Sequence, residues 1–261
     1  MNYEFIEEKP SFSAGKTPVL FVHGMWHGAW CWAEHFLPYF AQKGFHACAL
    51  SLRGHGKSDG WEDLQKTSLA DYVADVEKAV GRFDRQPVIV GHSMGGHVVQ
   101  KFLESHEAPA GVLMASVPPH GVIPTTMRIT LKHPIAVMMT LRLSMFPVVA
   151  TPELAREAFF SDNIPEAKLK RYFSRIQEDS FRVFIDMLGL NLPRPKRVKA
   201  PMLVLGAGND TIFSRAQVEA TARAYGTEAE FFPDMAHDMM LENGWRAVAD
   251  RIIKWMRGMG L

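Results

Sequence analysis

Cysteine is nearly absent: 261 residues contain two, Cys31 and Cys48. Two thiols at that separation form neither a C-x-x-C pair nor a paired metal spacing, and they are too few for the disulfide framework of a small secreted domain. A reducing compartment, taken as the cytoplasm, fits this usage. The first ten residues carry Glu4, Glu7 and Glu8 in place of the basic stretch and apolar run of a secretion signal. Charge of one sign is missing as well. With 29 Lys and Arg against 28 Asp and Glu, net +1, no long-range field draws phosphate backbones or anionic lipid, which argues against a nucleic-acid partner. Long apolar runs are also lacking. The longest, Ile123 to Ala150, is broken by Arg128, Lys132, His133, Pro134 and Arg142, whereas a spanning helix needs about 20 mostly uncharged residues, so no transmembrane segment is expected. What remains is ordinary globular usage, 47% hydrophobic and 22% charged, at a length that suits one domain with an elaboration.

Short β-rich runs alternate with amphipathic segments, the pattern of a parallel sheet covered on both faces. Strands are expected at Val19 to Val22, His46 to Leu50, Val88 to Val90, Val112 to Ala115, Met202 to Leu205 and Glu230 to Phe232. Leu69, Tyr72, Val73, Val76 and Val80 recur at helical spacing, as do Trp245, Val248, Ala249, Ile252, Ile253 and Met256. From about Pro118 to Lys199 strand signals stop. Prolines punctuate helix-like segments there, Thr151-Pro152 reads as an N-cap with its first helical residue, and two apolar stripes run through Leu169 to Ile176 and Phe181 to Leu188. The expected fold class is therefore α/β: a mostly parallel central sheet flanked by helices, formed by residues 1–117 and 200–261, with a helical cap inserted at 118–199.

The run Val88-Ile89-Val90 leads straight into Gly91-His92-Ser93-Met94-Gly95, and Val98, Val99, Phe102 and Leu103 continue it as a helix. This is G-x-S-x-G between a strand and a helix. A nucleophile on so sharp a turn needs small residues two before and two after it, which Gly91 and Gly95 supply, and the helix N-terminus offers N–H groups to developing negative charge. A glycine-rich turn with an incidental serine would look the same over five residues. Serine at its free pKa is a poor nucleophile, so the reading requires a general base and a carboxylate that orients it. Asp210 follows the strand ending near Leu205, and His237 follows the one ending near Phe232. The chain order Ser, Asp, His is the one this scaffold uses. Asp234 and Asp238 flank His237, but sequence adjacency does not favour the side-on contact with Nδ1, which leaves Asp210 as the expected partner. Gly206-x-Gly208 hints at a dinucleotide loop, yet its third glycine position holds Thr211. His23 and His27 have no carboxylate or thiolate nearby in sequence and read as structural hydrogen-bonders; no metal and no other cofactor is expected. After the strand Val19 to Val22, His23-Gly24-Met25-Trp26 turns sharply and can aim the Met25 N–H beside that of Met94, making an oxyanion hole. Trp26 is placed against the substrate.

These motifs resemble the α/β-hydrolase family over nearly the whole chain, and 118–199 matches the position of that family's variable cap. His23-Gly24-Met25-Trp26-His27-Gly28-Ala29-Trp30 is similar to the opening of the plant methylesterase and hydroxynitrile lyase branch, while Leu52-Arg53-Gly54-His55-Gly56-Lys57-Ser58 looks like epoxide hydrolases, lipases and many bacterial esterases. Epoxide hydrolases and haloalkane dehalogenases of this fold use an aspartate where Ser93 stands. Hydroxynitrile lyases usually need a lysine close to the catalytic histidine, and Asp238-Met239-Met240 follows His237 instead. The resemblance implies a serine esterase acting on a small-molecule ester, uncharged and moderately hydrophobic, through an acyl-enzyme. Met127, Met138, Met139, Met145, Phe146, Phe159, Phe160, Phe181 and Met187 are offered as its apolar pocket, though each also suits the cap's own core. A lipase or lactonase, a carbon-carbon bond hydrolase on the same triad, and a slow-turnover small-molecule receptor are the alternatives. The oligomeric state is left open.

Overall fold

The computed structural model of the chain describes residues 1–11, 17–132 and 143–261. Runs too short and too apolar to be half-exposed become strands buried along their length: β2 Val19–Val22, β3 Ala47–Leu50, β4 Val88–His92, β5 Gly111–Met114 and β6 Met202–Ala207. Continuous burial is what a parallel sheet covered on both faces imposes. β7, Ala229–Phe232, is half-buried at one edge, and β1, Phe5–Glu8, at the other. The sheet order is β1-β3-β2-β4-β5-β6-β7, with β1 antiparallel to β3 and the other pairs parallel.

β1 is absent from the periodicity because its sequence, Phe-Ile-Glu-Glu, carries no apolar run; pairing to β3 creates it, Phe5 opposite Leu50 and Glu8 opposite Ala47. β2 has its expected bounds, and the remaining strands differ from theirs by one or two residues, at ends where no side chain distinguishes strand from loop.

Helices flank the sheet: α1 Trp30–Ala33, α2 Phe36–Gln42, α3 Leu69–Val80 and α4 Met94–Phe102. A capping box starts α3, where Ser68 Oγ accepts from the Asp71 N–H and the Asp71 carboxylate accepts from the Ser68 N–H at 2.9 Å. Between β5 and β6 the described residues form no strand. They hold α5 Ile123–Lys132, α6 Pro152–Phe159, α7 Glu166–Phe173 and α8 Phe181–Ile185, which runs on into a π-helical turn at Asp186–Leu190. Thr151 caps α6, its Oγ1 accepting from the Leu154 N–H at 3.3 Å, and Pro152 takes the first helical position. α9 Arg215–Ala224 precedes β7, and α10 Trp245–Gly258 ends the fold with Val248, Ala249, Ile252, Ile253 and Met256 buried. Among the described residues no helix is long and apolar enough to cross a membrane.

Candidate active site

β4 delivers Ser93 onto a turn where its backbone sits at φ 51°, ψ −121° before α4 begins. A left-handed serine is strained and must be held. The holding groups are backbone: the Ser93 N–H donates to Met114 O of β5 at 3.0 Å, and Ser93 O accepts from the N–H groups of Gly96, His97 and Val117. The neighbouring glycines are required by space. A Cβ on Gly91 would lie 2.5 Å from Gly95 O, and one on Gly95 would lie 2.3 Å from His23 O. β4, the start of α4 and the loop after β2 therefore meet at backbone contact, which puts Met25 beside the serine turn. The N–H groups of Met25 and Met94 enter no hydrogen bond among the described residues.

Asp210 and His237 come from the loops after β6 and β7. His237 Nδ1 lies 2.9 Å from Asp210 Oδ2, while Oδ1 accepts the N–H groups of Ile212 at 2.8 Å and Phe213 at 3.0 Å. Three donors thus converge on the carboxylate, two on Oδ1 and one on Oδ2. The His237 ring is buried between Phe213, at 5.6 Å, and Phe159, at 6.3 Å. His92, which precedes Ser93, ties the serine turn to the His237 loop: its Nε2 donates to His237 O at 2.9 Å, and the two rings lie 4.7 Å apart. Burial, then the neighbouring His237, lowers the His92 pKa to about 3, so this imidazole stays neutral.

Asp238 does not face His237 Nδ1. Its carboxylate makes an ion pair with His27 Nε2 at 3.0 Å, both groups being buried. Burial works against the charge on each, but the attraction between them outweighs it: His27 is held above its ordinary 6.5 and Asp238 below its ordinary 3.8. The stabilisation carried by His27 is complete below pH 6.5 and drains away as pH rises through its folded-state value; that of Asp238 is present above 3.8 and is lost as pH falls through its folded-state value. Asp238→Asn is therefore expected to cost about 3–5 kcal/mol near pH 6, with the gap from wild type narrowing above pH 6.5. Denaturant unfolding at several pH values checks it; a gap that widens toward alkaline pH contradicts the pairing. His23, by contrast, offers Nδ1 to Gly24 O at 2.8 Å and receives the Leu52 N–H on Nε2 at 3.0 Å, as a neutral ring whose pKa burial holds well below 6.5.

A cavity of about 510 Å³ opens over the serine turn, and Met25, Trp26, Ser93, Met94 and Asp210 all line it. Of the residues offered for its apolar wall, Met145, Phe181 and Met187 are there. Phe159 and Phe160 are instead core residues, one packed on His237 and the other on Tyr172. Met127 is exposed, because its face of α5 turns outward while Val122, Thr125 and Ile129 face the cavity; Phe146 is half-buried away from it. Met138 and Met139 lie outside the described residues. Arg128 of α5 was invisible in the sequence as a site residue. It lines the cavity and donates to the carbonyls of Thr211 and Ile212, bracing the Asp210 loop, and only the folded placement of α5 reveals it.

Comparison with known proteins matches this arrangement to one family. A non-heme chloroperoxidase of Burkholderia pyrrocinia is 35% identical over 108 residues, 39% of this chain and 38% of that protein. A thermostable monoacylglycerol lipase of Bacillus sp. (strain H-257) is 33% identical over 105 residues, 38% of this chain and 40% of that protein. The chain thus spans about two fifths of these curated relatives. An esterase from Thermogutta terrifontis superimposes with a TM-score of 0.75 at 19% identity, covering 98% of this chain and 93% of that one, which reflects the shared fold. The profile of the alpha/beta hydrolase family matches residues 19–251, and with the strand order and serine turn described above the chain belongs to that family.

Proposed function

We propose that the chain is a serine hydrolase cleaving carboxylic esters of uncharged, moderately hydrophobic small molecules through an acyl-enzyme. The observation that carries this reading is the wiring of Asp210: one oxygen holds His237 Nδ1, the other is locked by two backbone N–H groups, and the residue shares one cavity with the strained Ser93. A carboxylate so fixed sets the imidazole's tautomer, with the proton on Nδ1 and Nε2 free to accept. Ser93 Oγ attacks the ester carbonyl and its proton passes to His237 Nε2. The Met25 and Met94 N–H groups take the charge that builds on the carbonyl oxygen. Collapse of the tetrahedral adduct expels the alcohol, which carries away the proton from His237. Water then repeats the sequence in reverse and releases the acid. Residues 118–199 act in this scheme as the cap over the serine, contributing most of the cavity wall.

The wall also supports the substrate class. It is largely apolar, and its charged members are engaged: Arg128 on two carbonyls, Asp210 on His237, and Glu157 in contacts of its own. A charged substrate would lose its hydration there, and an anion would have to compete with the Thr211 and Ile212 carbonyls for Arg128. Each methylene buried is worth about 0.8 kcal/mol, or roughly fourfold in kcat/KM. A series of p-nitrophenyl esters from acetate upward is therefore expected to rise by up to about fourfold per methylene until the cavity is filled, while an acyl chain ending in a carboxylate falls below its neutral counterpart. A flat series, or preference for the charged chain, would contradict the assignment of substrate class.

A further inference from the structure

Trp26, which follows the oxyanion residue Met25, has φ 64°, a left-handed conformation that a bulky L-residue leaves unless it is held. Both polar groups of its backbone are taken by one short stretch of the 118–199 insertion. Its N–H donates to Asp179 Oδ2 at 2.8 Å, and its carbonyl accepts the Gln177 N–H at 3.0 Å. The peptide joining Met25 to Trp26 is pinned at its other end as well, since Met25 O lies 2.7 Å from His27 Nδ1.

Asp179 is fully buried. A buried carboxylate is retained only where donors surround it, and here Oδ2 also meets His55 Nε2 at 3.0 Å, while Oδ1 takes the Ser180 N–H at 2.6 Å and faces Tyr72 Oη at 3.5 Å. The stretch is seated on the core by Gln177, whose Oε1 accepts from the Gly56 N–H at 2.9 Å and whose Nε2 donates to Gly54 O at 2.8 Å, and by Ser180 Oγ donating to Thr67 O at 2.6 Å. The Arg53-Gly54-His55-Gly56 loop, which takes no part in the reaction, thereby acquires a role as the seat of this clamp.

We propose that Asp179 is a positioning residue of the oxyanion hole: with Gln177 it clamps Trp26 in its left-handed turn and so aims the Met25 N–H at the reacting carbonyl oxygen. The insertion is then part of the catalytic geometry as well as a wall. This rests on the ester-hydrolase reading above.

The test compares wild type, Asp179→Ser, Asp179→Asn and Ser93→Ala on a neutral activated ester, with an alkyl boronic acid as a mimic of the tetrahedral adduct. Removing an oxyanion donor outright costs about 10²–10³ in rate, so misaiming one through Asp179→Ser is expected to lower kcat about 30- to 300-fold. KM stays within about threefold, because the released Trp26 is one residue of a cavity wall built largely by others, and boronic acid affinity falls in step with kcat. Asp179→Asn must turn its NH₂ toward the N–H of Trp26 or of Ser180, so it too is expected to lower kcat, about 3- to 30-fold, with KM within about threefold. Folded Asp179→Ser with kcat within threefold of wild type, or with its loss confined to KM or to thermal stability, would overturn the clamp. Should Asp179→Ser not fold, Asp179→Asn, which keeps the size of the side chain, carries the comparison, and a folded Asp179→Asn with kcat within threefold of wild type would overturn the proposal. If Ser93→Ala hydrolyses the ester undiminished, the ester-hydrolase reading fails; if Ser93→Ala is inactive and Asp179→Ser is normal, the clamp alone fails.

Discussion

Ser93→Ala is expected to hydrolyse an activated ester between about 10⁴ and 10⁶ times more slowly than wild type, with the fold unchanged. The size of the loss follows from what remains. Without the hydroxyl no acyl-enzyme forms, and the residual rate comes from substrate binding and from N–H groups poised to stabilise charge when water attacks directly. The fold is expected to survive because Ser93 is anchored through its backbone, by Met114 O on one side and the N–H groups of Gly96, His97 and Val117 on the other. Alanine keeps the Cβ already accommodated at this turn. Initial rates with the unfolding midpoint measured in parallel separate the two effects: a midpoint within a few degrees and an almost vanished kcat is the expected pair.

Asp210→Asn is expected to lower kcat about 10⁴-fold while leaving KM nearly unchanged. An ordinary asparagine could rotate its amide to present oxygen to His237, but this site forbids a neutral solution. Oδ1 faces two N–H donors, from Ile212 and Phe213, and Oδ2 faces His237 Nδ1. The carboxamide has one oxygen, and turning its NH₂ toward two backbone donors costs more than turning it toward one ring nitrogen. The NH₂ therefore meets His237, Nδ1 becomes an acceptor, and the ring proton moves to Nε2, the atom that must accept from Ser93. The rotation that would restore the tautomer is the one the backbone opposes. Asp238 cannot substitute, since its carboxylate is engaged with His27 on the other side of the loop. Steady-state kinetics on a neutral ester checks the size of the effect, and a loss below about tenfold would show that the orienting role lies elsewhere.

Much of the architecture was readable because buried parallel strands leave a mark that half-exposed ones do not. Val88 to Val90 and Val19 to Val22 are continuous apolar runs, and each is followed by glycine-containing turns where the chain must bend sharply. The loops carrying Ser93, Asp210 and His237 could be placed for the same reason, since each follows such a strand. β1 left no comparable trace, with two glutamates in four residues and a strand character conferred by β3. The helices described between β5 and β6 were legible as helices but not in their facing. Phe181 and Phe184 share a helical stripe with core positions, yet they line the cavity, while Val183 between them is the fully buried residue. Periodicity reports an apolar face and is silent on whether packing or empty space lies opposite it. The contacts that hold the site together were beyond any spacing rule. Asp179 reaches Trp26 across 153 positions and His55 across 124, and His27 meets Asp238 only because two separate loops converge. Those partners are chosen by the fold, and a lone buried aspartate in an insertion carries no signature of what it will touch.

Ser93 Oγ is expected to become covalently acylated during turnover. Rapid acid quench of the protein with a slowly deacylating ester, followed by mass analysis of the intact chain and of its peptides, addresses it directly. The expected result is a mass increase of one acyl group, carried on the peptide containing Ser93, forming faster than product is released in the steady state and missing from Ser93→Ala. Steady hydrolysis by the wild type with no acylated species at any quench time, or an acyl group carried on another residue, would contradict it.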